Sequence, residues 1–316
     1  MSTATTSNRA PSTHGRVDRK PHDRRARERV QAALLIATAA DSESRGALHV
    51  AAAIAERDKL PVVALGVAAP FPQNVSTLVS LGQPVTIDET ARRELLDEVS
   101  RFVAHIPGSE HWVKRALLGT PEEEIVDAAA RWKAQLIVLG LGRHGRLDRL
   151  FERETAIAVM RHARVPVLAV VPRARGLPNR ALAAIDFTPA STAAATLAAR
   201  LLAPGGTLVA AHVSAFSDAG MKPGGIADVY RTGARAKLEA VADELRRATT
   251  CAVESVLLDG NPGDALVRFA RRTHCDLVAL GGHEQGLVDR ILLGSVRTRV
   301  VRAAPCSLLV APPAAR

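Results

Sequence analysis

Aromatic side chains are scarce in this chain, at 3% of its 316 residues, although 47% of the residues are hydrophobic. The cores must therefore be aliphatic and consist mainly of alanine, valine and leucine. Side chains of this kind suit parallel β-strands, which are buried on both faces of a sheet. A length of 316 residues also leaves room for two domains of the usual size.

Cysteines are few, and long apolar runs are missing. Cys251, Cys275 and Cys306 form no C-x-x-C pair, and an odd, unpatterned set favours a reducing compartment. We expect small buried side chains rather than a redox pair or a metal site, and a cytoplasmic protein. No apolar run reaches the roughly 18 residues of a membrane helix, so we expect no membrane partner.

Signals of catalysis are missing as well. No histidine pair has metal-ligand spacing, which predicts no structural zinc, and no Ser-His-acid or Cys-His grouping stands in a nucleophile elbow. We therefore predict no catalytic residue.

Positive charge is concentrated at the start of the chain. Of the net charge of +10, residues 1–29 contribute +5, through eight Lys or Arg against three Asp or Glu. This segment has no hydrophobic period and no apolar core of a secretory signal, so we predict a disordered basic tail. No aromatic residue interleaves with the charges, and we do not expect nucleic-acid binding. A strongly salt-dependent affinity that vanished without the tail would favour that alternative.

Strand and helix patterns alternate twice along the remaining chain. We predict a first domain over 30–173, a linker over 174–180 and a second domain over 181–313. Each domain has the order β-α-β-α-β-α-β-α-β, apart from a short helix predicted at 75–80. The fold class is therefore α/β, with two tandem doubly wound, Rossmann-like domains. Each is expected to hold a five-stranded parallel sheet with helices on both faces.

The two halves are copies of each other. A constant offset of 141 residues, without a gap, relates residues 119–170 to residues 260–311. Gly140 and Gly281 correspond in this register, as do Gly119 and Gly260. A match of this length indicates duplication of a whole domain rather than a short solenoid repeat.

A glycine-rich loop marks the second half. An apolar strand pattern over 277–280 ends at Gly281-Gly282, and after a polar loop Gly294-Ser295 precedes a helical stretch. Ligands of open parallel sheets bind beyond the carboxyl ends of the strands, where helices begin. Glycine lets the backbone approach a phosphate closely. Backbone N–H groups and the helix dipole then favour binding of the negative charge. The pattern predicts an anion-binding loop.

These residues resemble the universal stress protein family in its tandem form. The family motif is G-x2-G-x9-G-S/T, and the second half has Gly281, then Glu284 at the second glycine position, then nine residues and Gly294-Ser295. The stretch AIDFTPASTAA, with Asp186, resembles the family's first strand and turn, and the resemblance covers about residues 31–313.

The resemblance implies an adenine-nucleotide-binding type of fold and a stress-response regulator that responds to ATP or AMP, with Mg as a candidate companion ion. Asp186 is then expected at the base and ribose, and Val213 at the base pocket. The phosphates are then expected to bind the glycine loop, which comprises Gly281, Gly282, His283, Gly294 and Ser295. At most slow ATP hydrolysis is expected. The alternative is a stress scaffold or interaction protein whose glycine loops are only structural.

The first half departs further from the family pattern. Ala39 stands opposite Asp186, and Arg153-Glu154 stands opposite Gly294-Ser295. We expect this half to keep the fold and to lack the nucleotide site. In the second half, Glu284 would repel a phosphate unless it points away or a cation bridges it.

A second glycine pattern occurs in the first half. GLGRHG, residues 140–145, satisfies G-x-G-x-x-G, but it follows the fourth strand pattern and no acidic residue lies in the next strand. We interpret it as a tight turn. One alternative is a dinucleotide enzyme or another enzyme of the wider adenine-nucleotide-binding superfamily. For this alternative the sequence shows no set of catalytic residues. Arg143, His144 and Arg146 could still bind an anion there.

The last strand of each half, residues 167–171 and 308–311, is apolar and is expected at a sheet edge, where it invites pairing. In the family this strand builds the dimer interface. Two arrangements are open: the two copies pair within the chain as a pseudo-dimer, or they pair between chains in a homodimer.

Overall fold

The computed structural model describes residues 34–69, 87–142, 151–214, 225–282 and 294–312. The predicted basic tail and the short helix predicted at 75–80 lie outside these ranges. Among the described residues, no helix combines the length and the apolar character that crossing a membrane requires.

The first half has the predicted alternation of strands and helices. Its elements are β1 (Leu34–Ala37), α1 (Arg45–Asp58), β2 (Val62–Ala68), α2 (Ile87–Val103), β3 (Val113–Leu118), α3 (Pro121–Arg131), β4 (Leu136–Gly140), α4 (Phe151–His162) and β5 (Val167–Val170).

The second half repeats this order. Its elements are β6 (Arg180–Ala184), α5 (Pro189–Leu201), β7 (Thr207–Ser214), α6 (Ile226–Ala248), β8 (Ala252–Asp259), α7 (Pro262–Arg272), β9 (Leu277–Leu280), α8 (Gly294–Ala303) and β10 (Ser307–Val310). The α/β fold with two tandem Rossmann-like domains is confirmed.

All ten strands form one sheet in the order β3-β2-β1-β4-β5-β10-β9-β6-β7-β8. Within each half every pairing is parallel; Leu34, for example, lies beside Val62 of β2 and Leu136 of β4. The two halves meet where β5 and β10 pair antiparallel, with Leu168 opposite Leu309. The two final strands therefore pair within the chain. Because each also has a parallel neighbour, neither keeps a free edge for a second copy.

Two apolar layers cover the sheet. Alternate strand residues point to opposite faces, so Leu35 packs under the face of α3 and α4 while Ile36 packs under that of α1 and α2. In the second half α7 and α8 cover the first of these faces, and α5 and α6 the second. The largest fully buried side chains are all leucine or isoleucine, which confirms the aliphatic core predicted from the shortage of aromatics.

The connection between the halves, residues 171–179, contains no helix or strand and is fastened to the second half. Oδ2 of Asp276 accepts hydrogen bonds from the backbone N–H groups of Asn179 and Arg180 at 2.9 and 3.1 Å. The N–H of Thr207 donates to the carbonyl of Asn179 at 2.8 Å. These bonds align β6 with β7 and β9, and Arg180 is already part of β6.

Candidate functional site

The candidate site lies at the carboxyl edge of the second half. From β6 the chain moves outward to β7 and β8 and then returns to β9 on the other side of β6. The strand order thus reverses between β6 and β9, and doubly wound folds bind ligands in the crevice at such a point. The starts of α5 and α8 follow β6 and β9.

The turn after β6 holds Asp186 at the start of α5. Oδ1 of Asp186 accepts hydrogen bonds from the backbone N–H of Thr188 at 3.0 Å and from its hydroxyl at 2.6 Å. Oγ1 of Thr188 in turn accepts from the N–H of Ser191 at 3.2 Å and caps α5. Asp186 itself is exposed, and its carboxylate supports the turn.

Ser191 closes the same turn from inside. It is almost fully buried. Its hydroxyl donates to the carbonyl of Thr188 at 2.9 Å and accepts from the N–H of Asp186 at 3.4 Å. These bonds hold the turn between β6 and α5.

Gly281 lies directly against the start of α5. A Cβ atom on this residue would stand 2.6 Å from the backbone nitrogen of Ser191 and 2.7 Å from the carbonyl carbon of Ala190. Only glycine fits, because these neighbours are backbone atoms. The end of β9 and the turn of Asp186 are thus brought together.

The other predicted loop residues are placed in part. Gly282 follows Gly281 and is buried, and α8 begins at Gly294-Ser295 as expected. His283 and Glu284 lie outside the described residues. Val213 is half-buried on β7 and, like Asp186, stands two residues beyond a paired β6–β7 position, so the two residues are level along the sheet.

A histidine and a phenylalanine beneath this turn were not predicted as site residues. The Nδ1–H of His212 donates to the carbonyl of Ile185 at 2.7 Å, since a carbonyl oxygen can only accept. Its ring lies 4.4 Å from the ring of Phe187, which adopts a left-handed φ of 65°. Nε2 of His212 is buried and has no hydrogen-bond partner among the described residues. The contact between the two rings fixes the turn. The sequence feature that could have indicated it is an aromatic residue next to Asp186 in a chain with few aromatics.

An ion pair lies at the outer strand of the second half, at the carboxyl edge of the sheet. Arg231 of α6 pairs with Asp259 at the end of β8, and the arginine side chain is only 16% exposed. Beside the pair, the N–H of Gly260 donates to the carbonyl of Ser214 at 3.2 Å, and Asn261 caps α7. Together these contacts join α6, β7 and β8 at the level of Val213.

The first half builds the same turn from different residues. The N–H of Ala39 donates to Oγ of Ser44 at 3.2 Å, as that of Asp186 does to Ser191. Oδ1 of Asp41 accepts from the N–H of Ser44 at 2.9 Å and thereby takes the capping role of Thr188. Ala39 therefore occupies the place of Asp186, as the alignment predicted. Asp41 holds the turn, and α1 begins at Arg45.

Two further differences affect the loop end of the first half. Gly140 has more room than Gly281, because a Cβ atom there would stand 3.3 Å from its nearest neighbours, Glu43 and Ser44. Helix α4 begins at Phe151, two residues before the position that corresponds to Gly294. The helix start that would face a phosphate is thus displaced. The rest of GLGRHG after residue 142 lies outside the described ranges.

The fold and the crevice define the chain as a tandem doubly wound α/β protein with one intact turn and one altered turn. A model of the universal stress protein family matches residues 33–171 and 178–312. The chain belongs to this family, with two copies of its domain.

Individual relatives are similar over shorter stretches or at low identity. A universal stress protein of Methanocaldococcus jannaschii is 38% identical over 58 residues, which is 18% of this chain and about a third (34%) of that protein. The solved structure of a universal stress protein from Archaeoglobus fulgidus aligns with a TM-score of 0.60 at 19% identity, over 89% of this chain and 98% of that one. A universal stress protein in complex with cAMP aligns with one half only (TM-score 0.36, 22% identity, 42% of this chain and 97% of that one).

Proposed function

We propose that this universal stress protein is a cytoplasmic, nucleotide-responsive regulator that binds ATP or AMP at the carboxyl edge of its second half. The observation that carries the proposal is the contact of Gly281 with the start of α5. It brings the end of β9 and a helix start together at the reversal of strand order. Backbone N–H groups at such a place attract phosphate.

Each predicted residue has a role in this proposal. The carboxylate of Asp186 accepts hydrogen bonds from the ribose hydroxyls, and Val213 lines the base pocket. The phosphates lie along the glycine loop, which comprises Gly281, Gly282, His283, Gly294 and Ser295. A bound Mg²⁺ would offset the phosphate charge near Glu284.

Regulation rather than catalysis follows from the role of Asp186. One of its oxygens accepts two hydrogen bonds from Thr188, and a carboxylate engaged in this way is a poor general base for activating water. Slow ATP hydrolysis is the most that we expect.

A stress scaffold without nucleotide is the second candidate, and one observation favours it. Gly281 and Asp186 both have structural explanations, the first in its contact with Ser191 and the second in its bonds to Thr188. In that case the crevice keeps its shape for packing alone, and the protein acts through its surface.

Calorimetric titration with ATP and AMP in the presence of magnesium tests the proposal. We expect one site per chain in the wild type and no binding in Gly294→Trp, which places a large side chain at the start of α8. The matched control is Arg153→Trp at the corresponding position of the first half, which should bind normally. No heat in the wild type, together with an unchanged melting temperature at millimolar nucleotide, would leave the scaffold.

Asp186→Asn sharpens the test, because the amide oxygen can still accept from Thr188 while the charge is lost. We expect an unchanged melting temperature and an affinity about tenfold weaker, as for the loss of one charge-assisted hydrogen bond. Equal affinity in the variant would remove Asp186 from the proposed site.

A further inference from the structure

A cavity of about 300 Å³ lies between the two halves. It is found at the amino ends of β9 and β10 and beside the carboxyl end of β5, where Asp276, Cys306 and Ser307 line it. In the second half this is the edge of the sheet opposite to the proposed nucleotide site. The cavity is therefore a separate feature, and the inference below does not depend on the proposed function.

The surface of the cavity is partly polar and somewhat more apolar, and it is assembled from distant parts of the chain. Helix α1, strand β5, the connection, helix α5 and strand β9 each contribute aliphatic side chains, among them Val50, Ile54, Leu168, Leu177, Leu201 and Leu277. The pairing of β5 with β10 brings these elements together. Neither half alone encloses the space.

Two arginines stand at the exposed side of the cavity. Arg175 donates to the carbonyls of Pro172 and Ala174 at 3.0 and 3.2 Å, and Arg173 donates to the carbonyl of Pro305. In the described part of the chain neither guanidinium pairs with a carboxylate. Among the described residues, no acidic side chain neutralises their positive charge.

Two arginines and one aspartate carry charge at the cavity, and the arginine charge extends to helix α1. Burial lowers the pKa of His49, on the adjacent turn of α1, and the charges of Arg175 and Arg45 lower it further. The one acid that lines the cavity, Asp276, uses Oδ2 to hold the backbone of Asn179 and Arg180. A partly apolar space with two arginines at its rim suits a ligand that is apolar at one end and anionic at the other.

We propose that this cavity binds a small organic anion with an apolar body, such as a medium-chain carboxylate. At about 30 Å³ for each water-sized group, the volume accommodates roughly ten non-hydrogen atoms. The apolar body lies among the leucines and valines, and the carboxylate receives hydrogen bonds from Arg173 and Arg175. Because the ligand contacts both halves, its binding stabilises their association.

Calorimetric titration of the full chain with sodium octanoate tests this proposal. The test variant is the double substitution Arg173→Gln and Arg175→Gln. The control is Arg131→Gln with Arg161→Gln, which removes two exposed arginines at the ends of α3 and α4, away from the cavity. Octylammonium is the matched ligand of opposite charge, and thermal unfolding with each ligand gives a second readout.

We expect saturable binding of one octanoate per chain, with a rise in melting temperature. Affinity should fall at least about tenfold in the test variant and stay unchanged in the control. Octylammonium should not bind. Absence of saturable octanoate binding, equal affinity in the test variant, or equal binding of octylammonium would each overturn the proposal. Gly294→Trp should bind octanoate normally, which separates this site from the nucleotide site.

Discussion

The two halves share one topology and differ at the carboxyl edge of the sheet. In both, a buried serine, Ser44 or Ser191, accepts a hydrogen bond from the backbone five residues earlier. The residue whose backbone donates is Ala39 in the first half and Asp186 in the second. The fold requires the serine and the turn, whereas the side chain of the donating residue is free to vary.

A second difference lies on the neighbouring strands. Gly66 of β2 and His212 of β7 occupy equivalent positions. A Cβ atom on Gly66 would stand 2.5 Å from Cγ2 of Val99, so α2 fills that space with hydrocarbon. In the second half the imidazole of His212 fills it and stacks on Phe187. One half has an apolar support under the turn, and the other a polar one.

The largest effect on the free energy of unfolding is expected at Gly46. The equivalent residue of the second half is Ala193. A Cβ atom on Gly46 would stand 2.2 Å from the carbonyl oxygen of Val171. Gly46→Ala should lower the free energy of unfolding by about 3 kcal/mol, because backbone must move. Ala193→Gly should cost only about 1 kcal/mol, through helix propensity. Urea unfolding of both variants measures this, and similar losses would contradict the difference in packing.

The two strand-end glycines should differ next. Gly281→Ala places a methyl group 2.6 Å from backbone and should cost about 2 kcal/mol, whereas Gly140→Ala, at 3.3 Å, should cost less than about 1 kcal/mol. Gly281→Ala should also abolish nucleotide binding if the proposed site is correct. Urea unfolding and calorimetry on the same pair of variants check both statements. An equal loss of stability would mean that the two ends are packed alike.

Alkaline stability should depend on the second half, which holds all three cysteines. Burial, with smaller effects of Cys275 and Asp276, raises the pKa of the Cys306 thiol from 9.0 to about 12. A raised folded-state pKa stabilises the protein fully below pH 9, and this contribution is lost as pH rises from 9 to 12. At pH 11, two pH units above the unfolded-state pKa, the loss should reach about 2.7 kcal/mol.

Unfolding of the wild type and Cys306→Ala at pH 8 and pH 11 measures this loss. We expect the wild type to lose more stability over this interval than the variant, whatever their difference at pH 8. Equal losses would show that the thiol does not ionise in a buried setting.

The smallest effects are expected at the two caps. Thr188→Ala and Asp41→Ala each remove the acceptor for a serine N–H, at 3.2 and 2.9 Å, and should each cost about 1 kcal/mol. Asp41→Thr should recover most of the loss, because it restores the acceptor used in the other half. Thermal unfolding of the three variants measures these changes. If Asp41→Thr recovers none of the lost stability, the two turns are not interchangeable.

Much of the fold was predictable because local signals agree with it. The apolar run at 277–280 predicts a buried strand. A strand places successive side chains on opposite faces of the sheet, as the structure shows for Leu35 and Ile36. Because the halves are duplicated, the order of strands and helices in the first half also predicts that in the second. The family match over both halves confirms this prediction.

Part of the candidate site was predictable too. The placement of Asp186, Gly281 and the start of α8 follows from motif spacing, since it depends on local chain geometry. The contribution of His212 does not, because its partners Ile185 and Phe187 are 27 and 25 residues away along the chain. The ion pair of Arg231 and Asp259, 28 residues apart, was equally invisible.

By itself, the sequence determined the class of fold, the duplication and the family, since hydrophobic period, glycine spacing and composition act locally. It left open whether the final strands pair within the chain or between chains. The tertiary structure decided this through the antiparallel pairing of Leu168 with Leu309. It also created the cavity, whose walls come from both halves. Such features arise only from contacts between distant segments, which no local pattern encodes.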